Sequence, residues 1–309
     1  MQRSITIKSH LIMISWSVLI ATSFPAASLV ANTIDSVSLT ALRFLIASIL
    51  FIPILVHSGD RSLPNLKELL AYFTISITSI FYFWAMFKSL QTTTPLNTGA
   101  IFTLIPAVTV VAAYFISSEK TDRVMLAALI IGCIGSIWVM AKGSISTFVN
   151  LDINSGDILF LIGCIVLSLY SPLIVFFRRN LNISRSPAYI TFWVLVIGTI
   201  LLTIIALIEQ NGNLGWNELH SNDLAVILYL AIFTTVITFW QLQHCTPILG
   251  SVVVMSYIYL IPSFVTLMEI TFFGNSINAD IYTGVLLTLV SLVMLIKRAP
   301  IMNEEKKLL

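Results

Sequence analysis

Four ionisable side chains lie in or at the ends of long apolar runs: Arg43, Lys88, His244 and Glu269. A charge in hydrocarbon is costly, so each marks either a working group or an interfacial anchor. Glu269 stands in Leu267-Met268-Glu269-Ile270-Thr271-Phe272-Phe273, seven residues after Pro262. There it could bind a proton or a cationic group of a solute, or face the membrane interface. Arg43 lies about two turns inside its run. It could hold an anion, or send its long stem to the surface. Lys88 reads as an interfacial anchor or a pathway residue. His244 can take up a proton near neutral pH or sit at the interface. Around these charges lie aromatic and amide side chains that could line a solute path: Trp16, Tyr82, Trp84, Asn97, Tyr170, Trp240, Gln241 and Tyr259. Aromatic walls suit amphipathic organic solutes. Pro106 and Pro262 interrupt two runs, and each frees a backbone carbonyl where a hinge could form.

The same inventory excludes most chemistry. The chain has no HExxH, GxSxG or P-loop pattern. It also has no pair of acids within a span, so a membrane enzyme would lack its acid, base or nucleophile cluster. Cys133, Cys164 and Cys245 are scattered, without metal-ligand spacing or a disulfide framework. No cofactor and no metal are expected. Without a nucleotide site, active transport by this chain would draw on a gradient.

The elements that must position these residues follow from hydropathy. Of 309 residues, 58% are hydrophobic and 10% charged, against roughly 25% charged in soluble domains. About 20 apolar residues span a bilayer as a helix. Ten runs qualify: 11–30, 37–56, 69–87, 95–116, 124–140, 158–177, 188–208, 224–243, 249–273 and 281–296. The fold expected is an all-α integral membrane protein, not a barrel of short alternating strands. The first run has a basic flank like a signal peptide, but it is long for one and nine more runs follow. With the N-terminus inside, Arg3, Lys8, Arg61, Lys67, Lys120, Arg123, Arg178, Arg179, Arg185, Lys297, Arg298, Lys306 and Lys307 all fall on the cytoplasmic side. Only Lys88 and Lys142 fall outside, so both termini are expected in the cytoplasm. The basic residues need no nucleic acid to explain them.

Phe83-Trp84 precedes Leu104-Ile105-Pro106 as Phe239-Trp240 precedes Leu260-Ile261-Pro262, at an offset of 156 residues. Thr78 pairs with Thr234 and Lys88 with His244 at the same offset. A unit with an odd number of spans enters the bilayer inverted relative to its copy, as in many secondary transporters. The division expected is 1–141 for spans one to five, a connecting loop at 142–156, 157–297 for spans six to ten, and a tail at 298–309. In span five, Ala128, Gly132 and Ser136 recur every four residues, which suits close packing inside the protein or, alternatively, a homodimer face.

These residues resemble the EamA family of the drug/metabolite transporter superfamily. Ala41-Leu42-Arg43-Phe44 opens span two as the family's Leu-Arg-Phe does. Leu104-Ile105-Pro106 precedes Ser118-Glu119 as the family's Pro precedes its Gly-Glu, and Gly132 follows. Gly156-Asp157 opens span six, and Leu260-Ile261-Pro262 repeats the pattern. The second Gly-Glu falls on Gly274-Asn275, a departure. Glu119 itself reads as a solvated loop acid beside Lys120, Asp122 and Arg123. The resemblance implies ten helices in two inverted five-helix halves around a cavity lined by spans one, three, four, six, eight and nine. It also implies a carrier for amino acids, their derivatives or other small metabolites, in a bacterial inner membrane and mostly outward. The partners expected are a small organic solute and the lipid bilayer. An uptake carrier of the same build and a non-transporting sensor or structural protein remain the alternatives.

Overall fold

The computed structural model describes residues 2–60, 62–144, 153–273 and 280–298. Ten helices are long and apolar enough to cross a membrane: α1 (Ile5–Val30), α2 (Ser36–Ser58), α3 (Leu66–Ser89), α4 (Asn97–Ile116), α5 (Arg123–Met140), α6 (Ser155–Leu181), α7 (Pro187–Glu209), α8 (Ser221–Leu249), α9 (Ser251–Met268) and α10 (Asp280–Lys297). No strand occurs among the described residues. The chain is an all-α, ten-span membrane protein.

Short loops are possible where a residue satisfies the next helix's free N–H groups. The Asp35 carboxylate accepts from Val37 N and Ser38 N. Asn65 and Glu68 form a reciprocal capping box at α3, and Asn154 and Asp157 form another at α6. Thr94, Asp122 and Ser186 cap the helices of α4, α5 and α7; the first helix of α4 runs Pro95–Phe102, and Pro95 and Pro187 stand in the first turn of theirs. Arg185 clamps two loops on one face. Its Nε is 2.6 Å from Glu68 Oε1 and its Nη1 is 3.1 Å from Asp60 Oδ1. The hydrogen bond to Glu68 pushes the Arg185 guanidinium above its ordinary range.

The distribution of polarity is that of a protein in lipid. Leu29, Val111, Phe115, Ile130, Ile204 and Leu286 face outward, while Ser17, Ser76, Ser79, Thr234, Thr235 and Arg43 are buried. Helices satisfy their own backbones, so apolar side chains can face hydrocarbon without cost and polar ones turn inward.

Packing pairs the helices in a regular way. α2 lies along α7, α5 along α10, and α4 meets α9; α3 packs on α6 as α1 packs on α8. Exchanging helices one to five with six to ten maps this set of pairs onto itself. The α5–α10 contact is backbone-close: a Cβ on Gly135 would lie 2.8 Å from Gly284 O. Ser291 Oγ donates to Ala128 O at 2.6 Å, and Gly132 is packed against Tyr259 and Ser291. The Ala128-Gly132-Ser136 stripe therefore packs inside the protein, the first of the two readings open to it.

Candidate functional site

Five of the ten spans are not regular α-helices throughout. α1 breaks at Thr22 and α6 at Ser168-Leu169. α4 breaks at Thr103-Leu104, and α9 tightens to a 3-10 turn at Tyr257–Leu260. Pro106 and Pro262 each follow directly, in the first turn of the restarted helices Ile105–Ile116 and Ile261–Phe273. Both hinge candidates thus stand where the missing N–H is not needed. α8 widens to a π-helical turn at Ile232–Ile237. Such turns leave carbonyls outside the usual hydrogen-bond pattern and mark functional segments.

Arg43 uses that turn. Asp35 fixes the start of α2, and Arg43 two turns on is wholly buried. Its Nε donates to Thr235 Oγ1 at 2.7 Å. Its Nη2 donates to Thr234 Oγ1 at 2.8 Å and Thr234 O at 2.9 Å. The two threonine hydroxyls donate in turn to Leu230 O at 3.0 and 3.1 Å. The guanidinium carbon lies 4.2 Å from the Phe83 ring centroid and 5.8 Å from that of Phe87, within cation–π range. Nη1 has no hydrogen-bond partner among the described residues. The guanidinium thus turns into the bundle and does not snorkel.

A second polar cluster joins α1, α6, α8 and α9. His10 Nδ1 is 2.6 Å from Tyr257 OH, and Ser17 Oγ donates to Tyr257 O at 2.9 Å. Gln243 Nε2 donates to Tyr170 OH at 3.1 Å, and Gln241 Nε2 to Ser15 Oγ at 2.9 Å. His10 Nε2, Trp16 Nε1, Gln241 Oε1, Gln243 Oε1 and Tyr259 OH are buried without partners among the described residues. Aromatic contacts connect the two clusters. Tyr170 meets Phe239 edge-on at 5.7 Å, and Phe239 stacks on Phe83 at 5.8 Å, the ring that carries Arg43.

The remaining residues singled out from sequence fall in different places. Tyr82 is buried against Phe83, Phe102 and Phe160. Half-buried Trp240 stacks on His244 with ring centroids 5.1 Å apart. Trp84 is not brought to these clusters. It lines a groove of about 360 Å³ between α3 and α7, with Phe73, Ile77, Phe81 and Ile205. Lys88 is exposed. Asn97 Nδ2 donates to Asp157 Oδ2 at 3.2 Å, where Thr93 also donates to Asp157. The side chain of Glu269, and Gly274-Asn275, lie outside the described residues.

Two features escape the sequence reading. His10 lies one residue before the first apolar run as drawn from hydropathy; its seven-residue spacing from Ser17, on one helix face, was the available signal. Glu119 is not merely a solvated loop acid. Its carboxylate accepts from Ser251 N at 3.0 Å and Ser251 Oγ at 2.7 Å, capping α9. At the 156-residue offset Ser251 pairs with Pro95, which has no N–H to offer, and Glu119 pairs with Asn275. The departure from the second Gly-Glu therefore coincides with loss of the donor it would cap.

The EamA-like transporter family matches twice, over residues 7–141 and 154–297. An uncharacterized transporter of Bacillus subtilis, YyaM, is 25% identical over 74% of each chain. An uncharacterized transporter of Archaeoglobus fulgidus is 23% identical over 90% of this chain and 93% of its own. A crystal structure of another protein superposes with a TM-score of 0.68 at 18% identity, covering 96% of this chain and 98% of that one, and shows a shared fold.

Proposed function

The chain belongs to the EamA-like transporter family, and from that premise we propose that it is a secondary carrier of small organic metabolites, amino acids or related compounds. Each matched stretch holds five spans, and an odd number inverts the second half relative to the first. On this reading the halves rock about a site near the midplane and expose it to each side in turn. Both termini are cytoplasmic, the membrane is a bacterial inner membrane, and the net direction is outward.

The observation that carries the proposal is the buried polar band joining α1 and α6 to α8 and α9, with several polar atoms left unpartnered. Polar groups buried inside a membrane protein mark a solute path by default. The breaks of α6 at Ser168-Leu169 and of α9 at Tyr257–Leu260 put irregular backbone at Tyr170 and Tyr257 of that band, as broken helices do in carriers. The reading is tested in proteoliposomes with labelled amino acids and related metabolites. Saturable flux above that of empty vesicles is expected, and none for any solute would refute it. Uptake, the alternative direction, is decided in cells by whether overproduction lowers or raises the internal level of the solute that moves.

A further inference from the structure

We propose that Arg43 binds the negatively charged end of the transported solute, and that the solute carries a single carboxylate. This rests on the carrier reading and adds the chemical class of what is carried. Among the described residues Arg43 is the one Lys or Arg that is wholly buried. Among the described residues no acid bonds it: the partners are two threonine hydroxyls and a carbonyl. The buried acids are engaged elsewhere, Glu68 with Arg185 and Asp157 with Thr93 and Asn97. Among the described residues the guanidinium is therefore a charge without a counter-ion in a low-dielectric interior, an arrangement that calls for an anion.

Geometry limits which anion. The Nε and Nη2 edge is held by Thr234 and Thr235, so the guanidinium cannot swing freely. Nη1 keeps its two N–H groups without a partner among the described residues. Those N–H groups suit a carboxylate oxygen in a charge-assisted hydrogen bond. One positive charge neutralises one negative charge, and among the described residues no other Lys or Arg is wholly buried; Lys88, next to Phe87 on α3, is exposed. A phosphate dianion would lack its second cation. The flanking rings of Phe83 and Phe87 present an apolar wall to the rest of the solute. The Arg43 bonds cross from α2 in the first matched stretch to the π-turn of α8 in the second. On the carrier reading, movement of one half past the other would shift those partners and open Nη1 to the solute.

The test uses the full-length protein in detergent, with thermal unfolding as the readout. The probes are single-charge carboxylates (L-amino acids, N-acetyl amino acids and benzoate), each beside its carboxamide, with a set of phosphate monoesters. At least one carboxylate should stabilise the protein, and its amide should bind at least about tenfold more weakly. Arg43→Lys should keep the preference for carboxylate over amide with weaker binding, and Arg43→Gln should lose it. Should Arg43→Gln not fold, the wild-type carboxylate and amide pair still decides. Equal binding of amides, stabilisation by phosphate monoesters alone, or no stabilising carboxylate would each overturn the proposal. Saturable vesicle flux of a solute without a carboxylate would leave the carrier standing and remove the anion site.

Discussion

Among the described residues Arg43 is held by hydroxyls and a carbonyl rather than by an acid, and that makes its partners unusually costly to lose. Thr235 Oγ1 is the acceptor for its Nε at 2.7 Å. Thr235→Val keeps the shape and removes the acceptor, leaving a charged N–H buried and unpaired. The expected loss is about 1–3 kcal/mol, read as a lower unfolding temperature in detergent. An unchanged temperature would show that the bond contributes nothing. The position of Arg43 was legible in the sequence because a charge in an apolar run stands out. Its partners were not, because hydropathy does not distinguish a π-turn from an α-turn. His10 was missed for a related reason: beside Lys8 and Ser9 it reads as part of a polar flank, yet it is buried and bonded to Tyr257.

At the scale of elements, close approach of helices is set by small residues and by where helices break. Gly132 is a tight case, closed in by two helices at once. A Cβ there would lie 2.4 Å from the Tyr259 ring and 2.5 Å from Ser291 Oγ, so α5 touches α9 and α10 through it. Gly132→Val must push one of these helices aside. The expected cost is about 1–3 kcal/mol, together with reduced flux, because Tyr259 belongs to the 3-10 turn beside Pro262. Wild-type stability and flux in that variant would show the contact to be slack. The repeated Leu-Ile-Pro motif did locate the breaks of α4 and α9. It gave no hint of the breaks in α1 and α6, although Pro25 and Pro172 stand in the first turn of the restarted helices Ser23–Val30 and Tyr170–Leu181. Glu119 shows the other limit. Its sequence neighbours are charged, but the group it caps is 132 residues away, and a local reading cannot reach that far.

At the scale of the whole molecule, hydropathy located all ten spans, since each is a long apolar run in a chain with few charges. The ends moved where polar residues face inward: the run drawn at 11–30 begins at Ile5 in the structure, and the run at 224–243 extends over Ser221–Leu249. The bias of lysine and arginine predicts the orientation. Cysteine placed at Asn213 should react with a membrane-impermeant maleimide in intact cells, and cysteine at Lys120 only after permeabilisation. The reverse pattern would invert the protein. The near-exchange symmetry of helix pairs, with α3 on α6 answering α1 on α8, fits two halves that can rock against one another. The unequal residues, Arg43 with the π-turn of α8 above all, would make a site between them one-sided.

The most direct test is solute counterflow in the proteoliposomes described above. A carrier that alternates access returns faster when loaded, so unlabelled solute inside the vesicle should accelerate entry of the same labelled solute. We expect saturable entry with transient accumulation above the outside concentration, abolished by collapse of the outward solute gradient. Flux that is unaffected by solute on the opposite side, or no flux beyond empty vesicles, would contradict the account.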